Sequence, residues 1–209
     1  MPGRENHRQR LIDGALECLR EKGYAHTTAR DIAAAAHANL GSIGYHFGSK
    51  EALQTEAMCQ GLREWMEYIA ASVLARQDGG PLDQLAASWS AVAESFEQQR
   101  GLMVAFFEAA TAAARSPVLR EQLGELYQET VQATTAMIEA ATAEADVLGE
   151  RTARTLAALL VAIVDGLALQ WLVVPELAPR PEELTELINC AMSVDTVGAR
   201  TNASTGAAR

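Results

Sequence analysis

Apolar residues recur every three or four positions along most of the chain, which is the spacing of one face of an α-helix. The first such segment covers residues 4–22 and has a basic leading turn, and Gly23 follows it as a C-cap. Runs of β-branched residues bounded by turn residues, the pattern of strands, are missing. The pattern therefore predicts an all-α protein.

Caps and breakers divide the chain into about nine predicted helices. The first three are short, and Thr27 or Thr28 can cap the second. Ser49 caps a longer fourth helix, and the loop at 77–81 ends it. The later predicted helices cover 82–99, a piece at about 102–107 after an interruption at Gly101, one starting at 116–117, 150–174 and 181–192. This order predicts an N-terminal three-helix domain followed by a larger helical bundle.

Residues 27–50 have the layout of a helix-turn-helix that reads DNA. In the turn, His37 or Ala38 must take unusual backbone angles, and Asn39 is a suitable N-cap for a brief third helix at about 40–45. That helix contains Gly41 and Gly44, each of which costs about 1 kcal/mol relative to alanine. Close approach to another surface explains two glycines better than packing does.

A reading helix needs small residues, hydrogen-bonding side chains for base edges and flanking groups for phosphates. Ser49, Lys50 and the first amides of the fourth helix form a candidate anion site. For His46, a phosphate contact and a structural role both stay open. In chain order, the residues expected at DNA in this segment are Asn39, Leu40, Gly41, Ser42, Tyr45, His46 and Lys50.

The charge distribution agrees with this location. The chain has a net charge of -10, but residues 1–50 carry seven Lys or Arg against five Asp or Glu. The remaining residues carry ten against twenty-two. Because nonspecific DNA affinity comes from cationic groups, the acidic excess lies where it does not oppose DNA binding.

The segment resembles the N-terminal pattern of the TetR family of transcriptional regulators. The positions that carry the resemblance are Gly23, Tyr24, Thr27, Thr28, Asp31, Ile32, Ala33, Ala36, Gly41, Ile43, His46, Phe47, Ser49, Lys50 and Leu53. The chain departs from that pattern at His37, Asn39 and Gly44, which replace a glycine, a serine and a phosphate-contacting tyrosine. Tyr45 follows one residue later, about 100° further round the helix. The resemblance implies further DNA contacts from Thr28 and Arg30.

The resemblance also implies a domain organisation and a function. Residues 1–49 would bind DNA, and residues 50–195 would bind a ligand and dimerise; the small, polar composition of residues 196–209 separately predicts a disordered tail. The chain would be a homodimeric repressor that releases double-stranded operator DNA when an unidentified small molecule binds. Effector binding would tilt the fourth helix, which begins at Lys50, and move the reading helices out of register.

Two sets of residues are candidates for control. Aromatic residues suit an apolar effector pocket, although at helical spacing they also suit a core. The candidate pocket residues are Trp65, Trp89, Phe96, Phe106, Phe107 and Tyr127. The candidate dimer-interface residues, mostly on the apolar helix at 150–174, are Leu160, Val164, Gly166, Leu167, Trp171 and Leu187.

That apolar helix is long enough to cross a bilayer, since twenty residues span about 30 Å. Asp165 lies at its middle, where a carboxylate costs about 2.5–3.5 kcal/mol on insertion scales. We therefore expect a helix buried on nearly all sides by protein, and no membrane partner.

The sequence gives little support for metal binding, redox chemistry or catalysis. Cys18, Cys59 and Cys190 lack metal-ligand or redox spacing, which favours buried free thiols, and no signal peptide is recognisable; we expect a cytoplasmic protein. Patterns such as GxSxG, Walker, GxGxxG and HExxH do not occur, so we expect no enzyme, cofactor or metal. The competing classes are an enzyme and a helical adaptor that binds protein through residues 45–50.

Overall fold

The computed structural model describes residues 2–75, 81–142 and 149–180, together with residues 183, 186, 187 and 190. The described residues form seven α-helices and one 3-10 turn, with no strand among them. The elements are α1 (Pro2–His26), α2 (Ala29–Ala35), α3 (Gly41–Phe47), α4 (Lys50–Leu74), α5 (Pro81–Ala113), α6 (Pro117–Thr142), α7 (Glu150–Val173) and the 3-10 turn (Pro175–Leu177). The all-α prediction is confirmed. Most of the predicted helix at 181–192, and the whole predicted tail at 196–209, lie outside the described residues.

The predicted helix break at Gly101 is wrong, and it is one reason why fewer than nine helices are found among the described residues. α5 continues through Gly101 as a single helix of 33 residues. The glycine lies where α5 crosses α1, and a Cβ added there would overlap the carbonyl oxygen of Arg20. A glycine costs a helix only about 1 kcal/mol. Its small size therefore serves the helix crossing and does not end the helix.

A second contact between α1 and α5 lies two turns further along α5. α1 kinks at Gly23, which has a φ of 77°. Beyond this kink the backbone N–H of Ala25 donates to the carboxylate of Glu108, at 2.9 Å. A Cβ on Gly23 would lie 2.8 Å from the same carboxylate. The end of α1 is thus held by α5 at two places, Gly101 and Glu108.

One connected apolar core joins the N-terminal helices to the bundle behind them. Leu11 on α1 belongs to it together with Ile43 on α3, and so do Phe96 on α5 and Leu126 on α6. α1 therefore contributes to the core of both parts of the chain. A displacement within the bundle can reach the N-terminal helices without crossing a flexible linker.

Two of the three cysteines follow the prediction of buried free thiols. Cys18 and Cys59 are buried, and burial raises the pKa of Cys59 to about 11. Cys190 is exposed in the single chain, which contradicts the prediction for this residue. Leu187, on the same segment, is also exposed. Residues 183 and 186, the other described positions in 181–192, are exposed as well.

The expectation that the apolar helix is buried on nearly all sides is wrong for the single chain. By length and composition, α7 is the helix among the described residues that could cross a membrane. Its buried residues are three alanines, whereas Leu159, Ile163 and Val173 are more than half exposed. α6 covers one face of α7 and leaves the opposite apolar face open. α7 therefore has a second apolar face that the described part of its own chain leaves uncovered.

Replacing Gly101 with alanine is expected to destabilise the protein by about 1–3 kcal/mol, because the added methyl group forces α1 and α5 apart. Urea unfolding would measure the change. Gly124→Ala on α6 is the matched control, since a Cβ there meets no atom within 4 Å. The control is expected to gain up to about 1 kcal/mol from helix propensity. Equal effects at the two positions would contradict the close crossing of α1 and α5.

Candidate nucleic-acid interface

α1 forms the platform on which the two short helices are built. Ile32 of α2 and Ile43 of α3 are buried together with Leu11 of α1. At Gly14 the α1 backbone approaches α2 so closely that a Cβ would lie 2.8 Å from the amide nitrogen of Ala36. The spacing of these apolar residues therefore fixes the position of both short helices against α1.

A capping box begins α2, as the candidate cap at Thr28 predicts. The backbone N–H of Asp31 donates to Thr28 Oγ1 at 3.2 Å, and the backbone N–H of Thr28 donates to Asp31 Oδ2 at 2.9 Å. Lys22 on α1 also donates to Asp31, at 2.5 Å. The hydrogen bond from Lys22, followed by those from Thr28, holds the pKa of Asp31 well below its usual range. Asp31 thus keeps its charge and ties α2 to α1.

The turn between α2 and α3 has the predicted chemistry with one difference. His37 takes the unusual backbone conformation, with a φ of 48°. The side-chain oxygen of Asn39 accepts a hydrogen bond from the backbone N–H of Gly41 at 2.9 Å. However, the residue at the N-cap position of α3 is Leu40, not Asn39 as predicted. α3 begins at Gly41 and extends to Phe47, two residues beyond the predicted end.

α3 has one buried residue, Ile43, and an exposed surface around it. Leu40 and Tyr45 are 47% and 68% exposed. Gly44 lies between them, and a Cβ added there would meet nothing within 4 Å. This glycine is not required by packing within the protein. The exposed face therefore has the shape needed to approach a groove closely.

The first turns of α1 contact the flank of α3, a contribution that the sequence reasoning missed. His7 Nε2 lies 3.2 Å from Ser42 Oγ, and the His7 and His46 rings are 5.7 Å apart. The guanidinium of Arg8 lies 4.8 Å from the centre of the Phe47 ring. The signal available in the sequence was the basic leading turn of α1. In the structure, that turn brings His7 and Arg8 into contact with α3, so the two side chains do not lie only in solvent.

Lys50 joins the start of α4 to the corner between α1 and α2. Ser49 caps α4 as predicted, accepting the backbone N–H of Ala52 at 3.0 Å. Lys50 Nζ donates to the carbonyl oxygen of Thr27 at 3.2 Å and lies 3.6 Å from a carboxylate oxygen of Glu51. Since Glu51 is also in the first turn of α4, an anion bound here would depend on the cation of Lys50. Thr28, the N-cap residue of α2, and Arg30 in its first turn are exposed.

The aromatic residues predicted to line an effector pocket occupy different environments. Buried in the core are Trp65, Trp89, Phe96 and Phe106. Tyr127 is 37% exposed and donates to Asp165 Oδ2 at 2.6 Å; burial raises the pKa of both groups. Phe107 lines an open groove of 730 Å³ between α5 and α7. The other residues of the groove are Val104, Glu108, Ala110, Thr111, Ala114, Leu169 and Leu172.

The predicted dimer residues also divide into two groups. Val164, Leu167 and Trp171 pack against the core of their own chain, and Leu160 is half-buried. Gly166 and Leu187 are exposed. The open face of α7 also carries residues that the prediction omitted: Leu156, Leu159 and Ile163, at spacings of three and four, and Val173 near the end of the helix. Their regular spacing was the signal that could have identified them.

No group of three or more His, Cys, Asp or Glu within the described ranges could hold a metal ion. The chemistry of this surface is therefore that of hydrogen bonds, cationic groups and an exposed apolar residue on a short, rigidly mounted helix.

Two family models match the chain. Residues 11–57 match the model of bacterial regulatory proteins of the tetR family. Residues 81–192, more than half of the chain, match the model of the C-terminal part of BetI-type transcriptional repressors. The chain belongs to the TetR family. TetR-family proteins are transcriptional regulators and not enzymes, so the enzyme alternative is excluded.

Individual relatives of this TetR-family chain are distant. The HTH-type transcriptional repressor KstR2 of Mycobacterium tuberculosis is 29% identical over 112 residues, 54% of this chain and 55% of that protein. The chain therefore spans about half the length of this curated relative. A TetR-family regulator from Rhodococcus sp. has the same fold, with a TM-score of 0.70, 20% identity and coverage of 91% of this chain and 98% of that one. The multidrug binding protein EbrR, solved with proflavin, is 28% identical with a TM-score of 0.61, over 88% and 98% of the two chains.

Proposed function

We propose that this TetR-family chain is a cytoplasmic homodimeric repressor. Residues 1–49 bind double-stranded operator DNA, and residues 50–195 bind a small-molecule effector and dimerise. The observation that carries the proposal is the exposed surface of α3, where Leu40, Gly44 and Tyr45 are exposed and a Cβ on Gly44 would meet no atom within 4 Å. A face that the protein leaves smooth and uncovered, on a helix held at both ends, suits entry into the major groove.

The proposed contacts fall into two groups. α3 supplies base contacts from Leu40, Gly41 and Ser42, and Asn39 lies at its start. The phosphate contacts surround it and come from Thr28, Arg30, Tyr45, His46 and Lys50. Tyr45 takes over the role of the family tyrosine that Gly44 replaces; its 68% exposure supports this reassignment. In a dimer, two such surfaces meet half-sites about 34–36 Å apart.

The Lys50→Ala variant is expected to bind DNA less tightly and to lower the slope of log affinity against log salt by about 0.9 for each protomer. A mobility-shift titration with the chain's own upstream DNA, at several salt concentrations, measures this slope. Lys50→Arg keeps the charge and is expected to keep the slope. Arg115→Ala removes a cation at the α5–α6 turn and is the matched control for net charge.

An unchanged slope in Lys50→Ala would remove this residue from the phosphate contacts. A failure of the wild-type protein to shift any DNA would favour the adaptor alternative.

The open face of α7 is the proposed dimer interface. Leu156, Leu159 and Ile163 repeat at spacings of three and four, and Gly166 and Val173 continue the line. This is the stripe that one helix presents to another in a two-helix contact. Gly166 has open space around it, so a second helix can approach the backbone there. Trp171, Val164 and Leu167 support this face from within the chain.

Ile163→Glu is expected to convert the dimer to a monomer, because it places a charge at the middle of a desolvated apolar stripe. Analytical ultracentrifugation measures the change in mass, and operator affinity should fall with it. Val118→Glu is the matched control, since Val118 is 64% exposed at the start of α6 and lies off this face. If Ile163→Glu and Val118→Glu sediment alike, α7 is not the interface.

The groove between α5 and α7 is the proposed effector site. Its lining is apolar apart from Thr111 and the carboxylate of Glu108, the one charged lining residue. An apolar groove with a single carboxylate suits an organic cation with an apolar body. EbrR, which was solved with the organic cation proflavin, supports this class of effector. Among the predicted aromatic residues, Phe107 contributes directly to this site and the buried ones support it.

Glu108 provides a route from this groove to the DNA-binding helices. The same carboxylate that lines the groove accepts the backbone N–H of Ala25, just beyond the kink of α1. A cation in the groove competes with that N–H for the carboxylate oxygens. We infer that binding releases the end of α1 and changes the angle of α2 and α3. This route through α5 is additional to the proposed tilt of α4.

Glu108→Gln is expected to keep operator binding, because the amide oxygen can still accept from Ala25, and to abolish release by cations. Proflavin is the probe, added to preformed protein–DNA complexes in a mobility-shift assay. Glu94→Gln is the matched control, since Glu94 is an exposed carboxylate on the same helix. Equal binding of proflavin by the DNA-free wild type and Glu108→Gln, measured by proflavin fluorescence so that its intercalation into DNA does not interfere, would show that the effector site lies elsewhere.

A further inference from the structure

His7 lies between an arginine and the serine of the reading helix. Arg10 Nη2 is 2.6 Å from His7 Nδ1, and His7 Nε2 is 3.2 Å from Ser42 Oγ. A guanidinium has five N–H donors and no acceptor. His7 Nδ1 must therefore accept the bond from Arg10, which places the imidazole proton on Nε2. His7 then donates to Ser42, and Ser42 Oγ accepts.

This direction of bonding determines what the Ser42 hydroxyl can offer. One of its two lone pairs is occupied by His7, and its own hydrogen still needs an acceptor. Within the described helices, most serine and threonine hydroxyls that donate to a backbone carbonyl donate to the one four residues earlier, as Ser72 does to Tyr68 at 2.8 Å. For Ser42, four residues earlier is Ala38, which precedes the start of α3 at Gly41. Ser42 thus lacks the usual internal acceptor.

We propose that His7 is a positioning residue that orients Ser42 as a hydrogen-bond donor toward a base in the major groove. This inference rests on the proposed DNA-binding function and adds a specificity determinant from outside the helix-turn-helix. A donor at this position favours guanine O6 or N7, adenine N7 or thymine O4, and disfavours cytosine N4, which offers only donors. Leaving the hydroxyl hydrogen unpaired in a desolvated interface would be unfavourable.

The location of His7 supports a role in orientation more than in direct contact with DNA. The side chain is half-buried and its ring lies 5.7 Å from the His46 ring, on the flank of α3. Arg8, one residue later, holds the neighbouring Phe47 ring. The first turns of α1 thus brace the flank of α3 at several positions. His7 is the member of this group that reaches a side chain expected at the bases.

The experiment selects bound sequences from a pool of randomised duplexes and compares four proteins with the wild type. Ser42→Ala is expected to lose discrimination at one base pair in each half-site, by about fivefold for one hydrogen bond. His7→Ala is expected to lose discrimination at the same base pair, and the double variant should lose no more than either single variant. His7→Gln, whose amide N–H can replace Nε2–H, is expected to retain most of the preference. Thermal unfolding of each protein shows whether the fold is kept.

Three results would overturn the inference. The first is that His7→Ala weakens binding to all sequences equally and keeps the preference, which is the result of a purely structural role. The two single variants could affect different base pairs, or the double variant could lose the product of both effects; either would mean that the residues act independently. A wild-type protein that selects no sequence would instead refute the proposed DNA-binding function itself, and the inference with it. In that case the Lys50 titration would also show no binding.

Discussion

The crossing of α1 and α5 is the contact on which the rest of this structure depends. At Gly101 the two backbones are so close that no side chain fits between them, and at Glu108 the same helix holds the kinked end of α1. Interfaces packed this tightly move as units, because they cannot deform continuously. The DNA-binding helices are mounted on α1, so their orientation is set by α5. The proposed effector site beside α5 would act on DNA binding through this contact.

Local patterns predicted the parts of the fold that depend on neighbouring residues. The capping box at Thr28, the turn conformation at His37 and the cap at Ser49 were all readable, because each uses side chains within a few positions of the helix end. The interpretation failed at Gly101, where the decisive partner, Arg20, is about eighty positions away in sequence. A glycine that ends a helix and one that admits a neighbouring helix look the same in a sequence. Only the long-range contact distinguishes them.

The candidate site shows the same division. Residues on α3 could be proposed as DNA contacts from their spacing and chemistry, since one short helix presents them together. His7 and Arg8 could not, because their contacts with Ser42 and Phe47 depend on how α1 crosses α3. On α7, half-buried Trp171 and exposed Ile163 are both large and apolar, and composition alone did not separate them. Their orientation follows from which face of α7 is covered by α6.

The uncovered face of α7 has a consequence for the abundance of the protein in a cell. A chain that completes its apolar packing only with a second copy gains stability by mass action, so the stable fraction depends on the total concentration of protomers. At low copy number, more chains would be monomeric, with an apolar stripe exposed to proteases and chaperones. Dimerisation would then do more than bring two DNA-binding domains together. It would set a lower limit on the number of copies at which the regulator persists.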